Sequence, residues 1–173
     1  MLTLIAAVSA DGFISTGTGV PWHLPRDITH FREVTRGQWL LIGRRTFEEM
    51  LGWFHDHHPL VLSRDAGYTP PLGQAVPSVP AAIKFAQQAS AGEIFVCGGG
   101  GAYAAAMPHA ERLIVTHVGT TLGGGVPFPA IAPEDWRITS TTAHPADADH
   151  AFAMAITTYA RREGSALTLG ATI

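Results

Sequence analysis

Ile94-Phe95-Val96-Cys97-Gly98-Gly99-Gly100-Gly101-Ala102-Tyr103 runs from a short apolar segment through four glycines into helix-forming residues. An unbroken apolar run of this length fits a strand buried on both faces. The glycines let the backbone turn tightly and approach a ligand with no Cβ in the way. The free amides and dipole at a helix start favour an anion. The run lacks the G-x-G-x-x-G spacing of a dinucleotide fingerprint, so alone it reads equally well as a tight strand-to-helix turn. A strand, a glycine turn and a helix in succession predict an α/β protein.

The same alternation extends in both directions. Further apolar runs at Thr3–Ser9, Trp39–Ile42, Leu60–Ser63 and Arg112–Val118 read as buried strands, with the first run taken as Glu93–Cys97. Helical patterns lie between them. Asp27–Thr35 carries Ile28, Phe31 and Val34 at three-residue steps, and Arg44–Leu51 follows Gly43. Val79–Ala89 has Ser78 as its N-cap and Pro80 in its first turn, and Gly100–Met107 stops at Pro108. Late in the chain Trp136–Thr141 and Ala151–Tyr159 are strand-like with no helix between them, which predicts an antiparallel addition at one sheet edge. Asp11–Pro25, Gly52–Pro59 and Gly119–Pro127 are rich in turn residues and read as loops. Residues after Arg162 read as a tail, leaving 1–162 as the domain and 163–173 as the C-terminal extension.

The chain has 173 residues, 46% of them hydrophobic, which predicts one domain with a substantial core. Only 14% are charged, below the roughly 25% of an average globular protein. Eleven Lys+Arg against 14 Asp+Glu give a net charge of −3 and no long basic run, so nucleic acid is not an expected partner. Cys97 is the single cysteine, which excludes an internal disulfide and an all-cysteine zinc site. No apolar run reaches the ~18 residues of a membrane span. The apolar start Met1–Val8 has no preceding positive residue and reads as a strand rather than a leader, so a reducing cytoplasm is the expected setting.

Three further segments carry candidate chemistry. In Pro21-Trp22-His23-Leu24-Pro25-Arg26-Asp27, two prolines stiffen the approach to a helix that opens with a carboxylate. Asp27 either caps that helix or sits desolvated among Trp22, Leu24, Ile28 and Phe31, with a raised pKa and a ring-sized partner. Gly43-Arg44-Arg45-Thr46 puts two cations at a helix start, against the dipole, which reads either as solvated surface arginines or as cations with an anion in front of them. Leu62-Ser63-Arg64-Asp65 places another hydroxyl and guanidinium at a strand end. Three anion-friendly turns after three strands point to one extended ligand carrying several phosphates across a sheet end. The histidines of Trp53-Phe54-His55-Asp56-His57-His58-Pro59 read as a solvated or substrate-facing loop, and no metal is expected there.

These features, in this order, resemble dihydrofolate reductase, over about residues 1–162. The set P-W-x-L-P-x-D, G-R-x-T, L-S and G-G-G-x-x-Y carries the likeness. The resemblance implies a single-domain, mostly parallel eight-stranded sheet with an antiparallel C-terminal strand and about four flanking helices. It implies hydride transfer from NADPH to C6 of a dihydropterin, with a proton added at N5. Asp27, Trp22 and Thr116 then correspond to catalytic positions, with Asp27 gripping the pterin's 2-amino group and ring nitrogen. Ile5, Ala6, Ile28, Phe31, Met50, Phe54, His57 and Cys97 join Asp27 and Thr116 on the substrate side. Ala7, Ile14, Val20, Gly43, Arg44, Arg45, Thr46, Leu62, Ser63, Arg64, Cys97, Gly98, Gly99, Gly100, Gly101, Ala102 and Tyr103 fall on the cofactor side. Asp11 to Val20 matches the mobile loop over the nicotinamide.

Four positions depart from that family's pattern. His57 stands at the arginine for the folate tail, and a neutral imidazole does not replace a bidentate guanidinium. Gly125 stands where an aspartate usually secures the mobile loop. Val20 replaces a Met or Leu, and Gly101 a basic residue found in some members. The missing arginine leaves two enzymatic readings, a divergent dihydrofolate reductase or a dihydromethanopterin reductase of the same family. The pyrimidine reductase domain of riboflavin synthesis fits P-W-x-L-P-x-D less well. A nucleotide-binding module without turnover is the non-enzymatic reading, and Asp27, Trp22 and Thr116 together speak against it. The expected assembly is a monomer or weak homodimer.

Overall fold

The computed structural model describes residues 1–164, so all but the first two residues of the 163–173 extension lie outside the described residues. The elements run β1 (Leu2–Ser9), β2 (Phe13–Ser15), α1 (Pro25–Thr35), β3 (Trp39–Gly43), α2 (Arg44–Glu49), β4 (His58–Leu62), β5 (Gln74–Val76) and α3 (Val79–Gln88). They continue with β6 (Ile94–Gly98), α4 (Gly100–Ala106), β7 (Arg112–Val118), β8 (Val126–Pro127), β9 (Trp136–His144) and β10 (Met154–Arg161). Eight strands form one sheet in the order β5-β4-β3-β6-β1-β7-β10-β9, and β2 pairs with β8 in a separate ribbon.

The pairings from β5 through β7 are parallel, and β10 lies antiparallel to both β7 and β9. Parallel strands need crossovers, and helices supply them everywhere except between β4 and β5, where a loop runs between the strands. Strand alternation divides the core. Leu4, Val96 and Leu113 pack with Val79 and Ala82 of α3 and Ala102 and Ala106 of α4. Ile5, Phe95 and Ile114 point the other way, to Phe47 of α2 and to Phe31 and Val34 of α1. The expected single α/β domain with its antiparallel late strand is what the chain forms.

The differences are local. α1 begins at Pro25, two residues before the expected start, because proline suits the first helical turn. The helix expected over Arg44–Leu51 ends at Glu49 and tightens into a 3₁₀ turn at Leu51–Trp53. β4 starts at His58 rather than Leu60 and ends at Leu62. β9 runs on to His144, and β10 begins at Met154 rather than Ala151. Two segments expected as loops each contain a short strand, β2 and β8, and β5 was not expected. Elements of two or three residues are too brief to show periodicity.

Candidate active site

The carboxyl ends of β1, β3, β4 and β6 open into one cavity of about 1440 Å³. Open α/β sheets place their ligand sites at this end. Its pterin-sized side is walled by Ile5, Ala6 and Ala7 of β1, by Trp22, and by Asp27, Ile28 and Phe31 of α1, with Met50 opposite. Its long side is walled by Gly43, Arg44, Arg45 and Thr46, by Leu62 and Arg64, and by Cys97 through Tyr103. Ile14 and Val20 enter from the 11–20 loop.

Asp27 lies on the apolar side of the cavity, and it does not cap its helix. Leu24 occupies the N-cap without a side-chain bond, and Asp27 lies in the first turn. Burial pushes its carboxyl above the ordinary range, while the Thr116 hydroxyl and the charge of His30 pull it back. Thr116, on β7, is 2% exposed and stands behind Asp27 rather than on the cavity wall. Trp22 packs with Leu24, Val118 and Met154 and shields the carboxylate from that side. The result is a planar acceptor in a dry wall, suited to a flat heterocycle with two N–H groups in one plane.

The glycine turn is shaped for a close approach. A Cβ on Gly99 would lie 2.7 Å from Thr46 Oγ1, so the backbone there passes where no side chain fits. Gly98 to Gly101 all face the cavity. The Tyr103 hydroxyl donates to the Ile5 carbonyl at 2.7 Å, fixing α4 against β1 between the two sides of the cavity. Beyond the turn, Ser63 and Arg64 with Arg44 and Arg45 line an adjoining recess of about 390 Å³. Arg44 is already engaged by Glu48 at 2.9 Å and Asp65 at 3.0 Å, and Arg45 by Glu49 at 3.1 Å. These carboxylates answer the puzzle of two cations at a helix start.

A family model described as dihydrofolate reductase matches residues 1–161. The chain belongs to the dihydrofolate reductase family. It is 33% identical to dihydrofolate reductase type 3 of Salmonella typhimurium, over 94% of this chain and 99% of that protein. It is 34% identical to dihydrofolate reductase of Mycobacterium tuberculosis, over 79% of this chain and 84% of that one. A solved dihydrofolate reductase from Enterococcus faecalis, complexed with NADP(H) and RAB-propyl, superposes with a TM-score of 0.86 at 28% identity. That match covers 94% of this chain and 97% of the other. Enzymes of the dihydrofolate reductase family are NADPH-dependent dihydropterin reductases, so the enzyme class and cofactor expected from the sequence agree with this membership.

Besides Thr116, two of the expected substrate residues lie off the cavity wall of this dihydrofolate reductase family member. Phe54 is fully buried and stacks on Phe47 at 5.4 Å between ring centroids, as part of the core. His57 turns inward. Thr35 donates its hydroxyl proton to the Phe31 carbonyl at 2.7 Å, so His57 Nε2 is the donor in the 3.1 Å bond to Thr35 Oγ1. His57 Nδ1 is then a buried acceptor without a partner, and burial lowers the pKa of the ring. Its Nε2 is committed to Thr35 and the ring lies off the cavity wall, so it presents no group at the tail position.

Gly125 also acquires a reason. It has φ +135°, and a Cβ there would fall 2.0 Å from the Ser15 carbonyl oxygen. The loops cross too closely for an aspartate at this point. The carboxylate comes instead from the other loop, where Asp11 accepts from the Leu122 amide at 3.0 Å and the Gly123 amide at 2.7 Å. Ser9 donates to Asp11 as well, and these bonds hold its carboxyl below the usual range. Trp53 at the cavity rim and the Pro77–Pro80 turn escaped the sequence reading as cavity wall. Ser78 had been legible only as a helix cap, which it is, accepting from the Ala81 amide at 3.2 Å.

Proposed function

We propose that the protein reduces 7,8-dihydrofolate to tetrahydrofolate, holding the pterin on Asp27 and NADPH along the glycine turn. The observation that carries this reading is the recessed Asp27 carboxylate facing the same cavity as Gly98–Gly101. The residues present fit the cofactor. The space denied to a Cβ at Gly99 suits a close-lying pyrophosphate. Ser63 and Arg64 would hold the 2′-phosphate, and Leu62 with Val79 would flank the adenine. When bound, NADPH would supply the hydride that adds to C6, and the C6=N5 double bond is lost as N5 takes a proton from a single solvent water.

The chain's own part is orientation and dryness. Asp27 would accept from the pterin's 2-amino group and ring N–H, fixing the ring's plane. Ile5, Ala6 and Ala7 form its flat floor. Phe31 and Met50 press on the ring's extension, and Trp22 with the 11–20 loop keeps bulk water away. No second acidic or basic side chain is needed on the pterin.

Folate's tail ends in carboxylates, and a cation stands at the rim despite the loss at position 57. The Arg32 guanidinium lies 4.8 Å over the Trp53 ring, which lines the cavity mouth. This favours an anionic tail over the ribitol-based extension of dihydromethanopterin. The test is a side-by-side rate measurement with NADPH and each dihydropterin. Higher kcat/KM on dihydrofolate, lowered about tenfold by Arg32→Ala, supports the assignment. Faster turnover of dihydromethanopterin would overturn it.

A further inference from the structure

α1 opens with Asp27 in its first turn but carries no cap of its own. Leu24 offers no side-chain oxygen, and Pro25 has no N–H. The first free amide is that of Arg26, and its partner comes from 124 residues away. The Arg26 amide donates to His150 Nε2 at 3.1 Å. His150 is 5% exposed, and its Nδ1 lies 2.6 Å from Asp147 Oδ1. Because Nε2 accepts, the ring proton is on Nδ1 and is donated to Asp147.

The surrounding segment is well fixed. Asp147 and His150 exchange backbone bonds of 3.0 and 3.2 Å, and Asp147 also receives the Asp149 amide at 3.0 Å. The Arg26 guanidinium meets Asp147 at 3.5 Å. Phe152 and Met154 pack with Leu24 and Trp22. The β9–β10 connection is therefore a buttress under the stretch that carries Trp22 and Asp27.

We infer that His150 is a positioning residue for the reductase reaction: as a neutral imidazole it caps α1 from the β9–β10 loop and so sets where the Asp27 carboxylate sits in the cavity. This rests on the reading of Asp27 as the pterin-holding group. No atom of His150 reaches the cavity wall, so its effect passes through the helix start.

Two near-isosteric substitutions separate its two bonds. His150→Gln can present an oxygen where Nε2 was and keep the Arg26 amide, while losing the bond to Asp147. His150→Asn can still donate to Asp147 but falls short of Arg26. His150→Gln should retain kcat for dihydrofolate within about twofold, and His150→Asn should lose about tenfold in kcat with the KM for NADPH unchanged. The affinity for a 2,4-diaminopyrimidine, read by isothermal titration calorimetry, should fall in parallel in the Asn variant alone. Equal activities in the two variants, or losses that follow their melting temperatures, would overturn it.

If neither variant folds, nitrogen NMR of the wild-type protein decides, since a proton found on His150 Nε2 excludes the cap. Failure of the wild type to reduce dihydrofolate would instead sink the functional reading. The diaminopyrimidine affinities would then still report whether His150 positions Asp27.

Discussion

Tyr103 donates its buried hydroxyl to the main-chain carbonyl of Ile5 at 2.7 Å, joining residues 98 positions apart at the centre of the cavity. Both ends of the bond matter, because Ile5 and Tyr103 both line the cavity and Tyr103 belongs to the glycine turn's helix. Burial raises the Tyr103 phenol well above its ordinary pKa, so it remains a donor at every working pH. Tyr103→Phe leaves the carbonyl without that donor. A loss of about 1–3 kcal/mol is expected, read as a lower melting temperature in thermal unfolding with the fold retained. An unchanged melting temperature would mean that water replaces the hydroxyl.

Asp27→Asn should lower kcat on dihydrofolate by orders of magnitude and leave NADPH binding nearly intact. It should also stabilise the protein. Burial raises the Asp27 carboxyl, so its favourable contribution is complete below the unfolded-state pKa and is lost as pH rises through the folded value. Wherever the carboxyl is ionised, its burial opposes folding, and asparagine removes that cost. A rise of roughly 2–4 °C in melting temperature corresponds to about 1 kcal/mol in a chain this size. Full activity in the variant would refute the role.

Gly99→Ala brings a methyl to 2.7 Å from Thr46 Oγ1. The KM for NADPH should rise about tenfold or more while the KM for dihydrofolate changes little. Adding Thr46→Ala should restore part of the loss by opening the same space. Identical kinetics with and without the methyl would show that the turn does not lie against the cofactor.

Arg64 is the cation of its recess that makes no ion pair among the described residues, since the carboxylates there go to Arg44 and Arg45. Arg64→Ala should therefore raise the KM for NADPH by about tenfold and leave that for NADH alone. A uniform change for both cofactors would place the 2′-phosphate elsewhere.

The Asp11 latch gives a prediction without chemistry. Its carboxyl is held below the usual range, so the latch is intact above the unfolded-state pKa and released as pH falls through the folded value. At neutral pH, Asp11→Ala should speed hydrogen exchange at the Leu122 and Gly123 amides. Exchange as slow as in the wild type would show that those amides are protected by something else.

Much of this was legible in the chain. Apolar runs located the long strands, because burial on both faces leaves little choice of residue. Asp27 stood out because prolines and aromatics around one carboxylate imply a dry site. The contacts that escaped all span great sequence distance. Nothing near Arg26 announces that His150 will meet it, and nothing near Asp11 announces the amides of 122 and 123. Phe54 and His57 misled for a related reason. Side-chain direction after a 3₁₀ turn is set by packing against Phe47 and Thr35, not by position in a motif.

The buttress from the β9–β10 loop has a temporal meaning. β10 is the strand that pairs β7 with β9, and the loop before it supplies the amide acceptor at α1. On a ribosome, the first half of this chain emerges with Asp27 already made but the start of its helix unsupported. The amide at that helix start gains its partner only when the closing strand leaves the exit tunnel, so a prematurely terminated product lacking those residues would keep the cavity wall but lose the brace on α1.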